Sequence, residues 1–138
     1  MPTSFIAIAI ISGLTLFAVV TMVRAYRQPI TEIPFPDAVI DDSSIPLSGP
    51  ARELFVAAVG TFKAGDYRGT LDRFAQLLEK EPNCAEAFHN LGLAYANLGD
   101  NDKALRSLLK ASAAYDQQGT KAGIERIKQD LERLKGFG

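Results

Sequence analysis

The chain has 138 residues, with 15 Lys plus Arg against 16 Asp plus Glu and a formal net charge of −1. That is room for one modest domain with accessories, and it supplies no electrostatic pull toward nucleic acid. A single cysteine excludes an intramolecular disulfide, and one histidine beside it argues against a zinc site or a histidine-centred active site.

Residues 4–23, SFIAIAIISGLTLFAVVTMV, carry no charged side chain. At 1.5 Å per residue, about twenty apolar residues match a hydrocarbon core roughly 30 Å thick. The polar side chains in the stretch are Ser and Thr, which can bond back to their own helix. A secretory signal would need a basic start, and MPTS offers none, so an uncleaved transmembrane anchor over residues 1–26 is predicted. Arg24 and Arg27 follow the span and no Lys or Arg precedes it. The positive-inside rule then places the rest of the chain on the cytosolic or stromal side. Tyr26 suits the interface.

Residues 27–50 hold five of the seven prolines, which disfavours helix and central strand. The acidic residues are Glu32, Asp37, Asp41 and Asp42, and no basic residue follows Arg27. The composition reads as a solvated spacer, partly polyproline II. Ile30, Ile33, Phe35, Val39, Ile40 and Ile45 are more apolar than a tether needs, and they suit docking on a partner as well.

From residue 51 the chain repeats. A shift of 34 residues lays Ala85 on Ala51, Gly99 on Gly65, Asp100 on Asp66 and Leu105 on Leu71. Phe88 falls on Leu54, Gly92 on Ala58, Leu93 on Val59 and Leu108 on Phe74. A fixed register of this kind marks a stacked repeat, here two antiparallel helix pairs. Helix A of the first pair is expected over residues 51–64, with Ser48 or Gly49 as N-cap and Pro50 in the first turn. Each Gly-Asp then makes the turn, Gly closing helix A in the left-handed region and Asp capping helix B. Helix B is expected over residues 67–81, stopped by Pro82. Small residues at Ala58, Gly92 and Ala104 allow close approach. Leu54, Leu71, Phe74, Phe88, Leu91, Tyr95, Leu105 and Leu108 should fill the seams. Residues 119–138 place Ile124, Ile127, Leu131 and Leu134 on one helical face, with charged residues including Asp130 around the rest.

This spacing resembles the tetratricopeptide repeat. In the second copy the signature positions carry Phe88, Leu91, Gly92, Tyr95, Ala104, Leu108 and Ala111, with Asp116 where proline is usual. The first copy carries Leu54, Ala57, Ala58, Thr61, Thr70, Phe74, Leu77 and Pro82, and is weaker at Thr61, Thr70 and Leu77. The resemblance implies an all-α fold: anchor, Pro-rich linker, repeats over residues 51–84 and 85–118, and a capping helix over residues 119–138.

The family binds peptides or protein surfaces in the concave face of its A helices. By that alignment the face here carries Arg52, Phe55, Val59, Phe62 and Lys63, then Glu86, His89, Asn90, Leu93, Ala96 and Asn97. A short solenoid has little surface to spare, so cover by the chain's own C-terminal helix or linker is the competing expectation. The family's two-carboxylate clamp is disfavoured, because Asn90 alone matches it. Cys84 and His89 lack the orienting group that a nucleophile–base pair needs, so no enzyme, cofactor or metal is expected. The anchored layout resembles the tetratricopeptide assembly factors of photosystem I in cyanobacteria and plastids. It implies protein partners that are subunits of a membrane complex, with no nucleic acid and no small-molecule substrate. The alternative is a resident subunit held by its span and linker.

Overall fold

A computed structural model describes residues 12–22 and 32–137, in two compact units divided between Glu32 and Ile33. In the first unit residues 12–22 form a helix, α1. Its Thr21 hydroxyl donates to the carbonyls of Phe17 and Ala18, both at 2.9 Å, which keeps a polar side chain satisfied on an apolar helix. Among the described residues no helix is long and apolar enough to cross a membrane. The remainder of the expected anchor, residues 1–11 and 23–26, lies outside the described residues, as does Arg27.

The second unit holds five helices: α2 (Gly49–Lys63), α3 (Tyr67–Lys80), α4 (Ala85–Asn97), α5 (Asn101–Gln118) and α6 (Lys121–Gly136). Their ends follow local chemistry. Ser48 caps α2 by accepting from the Ala51 amide at 3.3 Å, with Pro50 in the first turn. Gly65 and Gly99 turn the chain at φ 79° and 82°, a region open to glycine without strain. Asp66 then accepts from the Gly69 amide at 3.0 Å, and Asp100 from the Lys103 amide at 3.1 Å. The same two-residue device thus builds both hairpins.

Each helix packs on its neighbour in the chain, α2 on α3, α3 on α4, α4 on α5 and α5 on α6. Phe74, Leu77 and Leu108 are fully buried between them, with Phe74 edge-on to Phe55 at 5.5 Å. At Gly92 a Cβ would sit 2.7 Å from Leu108, itself locked in the core, so only glycine permits this approach of α4 to α5. The weaker first copy is closed differently. Thr61 and Thr70, which stand where the second copy has Tyr95 and Ala104, share a hydroxyl–hydroxyl hydrogen bond at 2.9 Å across α2 and α3. A polar pair there replaces an aromatic ring over an alanine.

Two expectations need correction. Leu105 is 43% exposed and does not fill a seam: it lies on the outer side of α5, toward α6. Asp130 belongs to the buried set of α6 together with Ile127 and Leu134, because it answers a polar group inside the fold.

The linker follows the competing expectation, cover of the concave face by the chain's own residues. Residues 33–47 are not a solvated spacer. Phe35 is 1% exposed, Val39 is buried, and Ala38, Ile45 and Leu47 pack against the same core. They form an extended strap over the inner face of α2, α4 and α6, described next.

Candidate functional site

Asn90 and Asn97 lie seven residues apart on α4. Seven steps of 100° return to within about 20° of the same direction, so both side chains leave one face of the helix, two turns apart. Each grips one residue of the strap by its main chain. The Asn97 side chain accepts from the Phe35 amide and donates to the Phe35 carbonyl, both at 2.8 Å. Asn90 accepts from the Ile40 amide at 2.8 Å and donates to the Ile40 carbonyl at 2.9 Å. A carboxamide offers one donor and one acceptor in a plane, the pairing that a neighbouring strand would offer. Each asparagine thus acts as one rung of a sheet, and the strap pairs without a strand beside it.

Side chains from three helices complete the seat. Arg126 of α6 donates to the Ala38 carbonyl at 2.6 Å, and the Arg133 guanidinium stands 5.7 Å over the Phe35 ring. Lys63 of α2 meets Asp41 at 3.4 Å, an exposed pair of small energetic weight. Glu86 accepts from the Ser44 amide at 2.9 Å through one carboxylate oxygen. Its other oxygen, Oε2, is buried with no hydrogen-bond partner among the described residues.

The residues expected to line the concave face divide accordingly. Phe55, Val59, Phe62, Leu93 and Ala96 are all buried, so the apolar floor is covered by the chain itself. Asn90 and Asn97 hold the cover. Arg52 and Lys63 are exposed on α2, Arg52 beside Asp41, Asp42 and Ser43 in a small hollow. Arg126 and Arg133, outside the expected A-helix face, join the seat because α6 forms its third wall.

His89 faces away from any free surface. It is fully buried, with Nδ1 3.0 Å from the Tyr115 hydroxyl and Nε2 2.6 Å from Asp130. A carboxylate has no proton to give, so Nε2–H is the donor to Asp130. The Tyr115 hydroxyl can donate to a neutral ring or accept from a charged one, so both ring states stay paired. The three residues staple α4, α5 and α6 into one body.

Burial holds the Tyr115 phenol far above its ordinary value of 10.0, and burial likewise raises the Cys84 thiol above 9.0. Cys84 is sealed at the start of α4, its Sγ 3.7 Å from the Ser43 hydroxyl of the strap. Both groups keep their protons in the folded state at pH values where the unfolded chain loses them. Their contribution to stability is therefore intact below about pH 9 and is lost as pH rises, at about 1.4 kcal/mol per pH unit for each group. Urea unfolding at successive pH values should give a flat plateau up to about pH 9 and a steepening fall above pH 10.

A second concavity, of about 580 Å³, lies between α5 and α6, with Leu105, Leu131 and Leu134 on its floor and Asp102, Lys128 and Lys135 at the rim. It is the end face of the helical stack.

Residues 61–122 match the Tetratricopeptide repeat family. No curated protein and no solved structure matches the chain. The tetratricopeptide match opens at Thr61 in the last turn of α2 and closes at Ala122 in the first turn of α6. It takes in the second copy whole and leaves out most of α2, with Leu54, Ala57 and Ala58, while the weaker positions Thr61, Thr70 and Leu77 fall inside it. The match suggests a protein-binding role for this stretch. Its inner face is occupied here by the chain's own strap.

Proposed function

We propose that this protein is a membrane-anchored tetratricopeptide scaffold that captures segments of other proteins, acting as an assembly factor for a membrane complex. One observation carries the binding part: Asn90 and Asn97 already hold an extended main chain in the groove through four hydrogen bonds. Main-chain recognition is indifferent to most side chains, which suits a groove that must take segments of a partner. The anchor rests on the apolar run of residues 4–23 and the arginines that follow it. Tethering the groove near a bilayer would raise its effective concentration toward membrane subunits without new contacts. Photosystem I is the client that the anchored layout suggests first, with the domain on the cytosolic or stromal side of a thylakoid-type membrane.

The function in this reading is binding without a catalytic step. Both nitrogens of His89 are engaged, and Cys84 is a buried, high-pKa thiol. The resident-subunit alternative loses its main support, since Phe35 and Val39 of the linker are spent inside this chain.

Affinity purification from gently solubilised membranes, with stoichiometry, tests the reading. Partial complexes lacking late subunits are expected. A complete complex at constant ratio would instead make the protein a resident subunit, and an absence of retained membrane proteins would overturn the scaffold.

A further inference from the structure

We propose that residues 33–47 are a resident, displaceable ligand, and that the groove's partner is an acidic, proline-bounded, extended segment of another protein that takes their place. The inference rests on the binding function above and adds both the chemistry of the partner and the control of the site.

The strap occupies the groove as a peptide would. Its grip is on main-chain groups of Phe35 and Ile40, which any extended segment also carries. Its side chains supply the specificity. An aromatic ring enters under Arg133, between Pro34 and Pro36, and acidic Asp41 meets Lys63. The walls that receive it hold three basic side chains, Lys63, Arg126 and Arg133, against one acidic, Glu86, and Lys63 faces an acidic residue, so an acidic competing segment is favoured. The fit is also imperfect. Glu86, buried beside the strap, pairs one carboxylate oxygen with the Ser44 amide, while the other has no hydrogen-bond partner among the described residues. A tethered ligand competes at an effective concentration on the order of millimolar, so a partner's apparent affinity is reduced by the fraction of time the groove stands open.

The test uses the full chain in detergent and a fluorescent synthetic peptide of residues 32–48. Wild-type protein should bind it weakly. Phe35→Ala, which removes the strap's largest buried group, should raise the affinity on the order of 100-fold. Adding Asn97→Ala to that variant should abolish the gain. Equal affinity in wild type and Phe35→Ala, or binding that survives Asn97→Ala, overturns the proposal. So does a wild-type dimer exchanging straps, seen by sedimentation, because the occupant would then be a second copy.

Amide exchange on the unmodified chain gives a reading that does not depend on the variant folding. The Phe35 and Ile40 amides should exchange at least about 100-fold faster than the slowest amides of α4. Exchange at the same rate means the strap leaves only with global unfolding, and the proposal falls. If it falls while the intact chain still retrieves partial membrane complexes, the scaffold reading stands and uses another face; if both fail, neither survives.

Discussion

Replacing Asn90 and Asn97 together by alanine should cost about 2–6 kcal/mol of stability while far-UV circular dichroism still reports the helices. Each asparagine satisfies one N–H and one C=O of the strap. Removing it leaves both groups half-buried and unpaired, at about 1–3 kcal/mol per side chain. The loss saturates at the docking energy of the strap, since a strap that has already lifted cannot be weakened further. Urea unfolding measures the total, and exchange at the Ser44 amide, whose own partner Glu86 is untouched, measures whether the strap has lifted. Faster exchange at Ser44 is the expected result. An unchanged rate would mean that Phe35 and Val39 seat the strap by packing alone.

Asp130→Ala should also be destabilising, for a different reason. It leaves a ring N–H of fully buried His89 without an acceptor, which costs about 1–3 kcal/mol. For a domain of roughly a hundred residues that is a drop in Tm of about 5–20 °C. Asp130→Asn keeps an acceptor oxygen in place and should restore most of the difference. A Tm for Asp130→Ala within a few degrees of wild type would show that α6 is held by Ile127 and Leu134 and owes nothing to the staple.

The helices were readable because their signals are local. Ser48, the two Gly-Asp turns and the 34-residue register each act within a few residues, and the observed ends follow them within two residues. The clasp of the strap was not readable, because it is written in main-chain atoms: nothing about Phe35 or Ile40 as residue types announces a pairing with asparagine. Asp130 looked like one more charge on an amphipathic helix, since His89 lies 41 residues away. Leu105 fits the repeat pattern, yet it lies on the end face of the stack, where a further helix would be needed to cover it. Alignment put Asn90 and Asn97 on the inner face and left cover by the chain's own linker as the competing expectation; which linker residues they grip was not legible.

The strap also bears on the order in which the chain folds. Each helix from α2 to α6 packs on its immediate neighbour, so the stack can zip up locally and fast. The strap closes the longest loops among the described residues: Ile40 to Asn90 across 50 residues, Phe35 to Asn97 across 62, and Ala38 to Arg126 across 88. Loop closure over such lengths is entropically costly and comes late. During synthesis the strap leaves the ribosome before any wall of its seat, and α6 is the last of those walls to follow. A newborn chain therefore passes through a stage with finished hairpins and an empty groove, in which the first suitable segment to arrive, from within the chain or from a neighbour, takes the place.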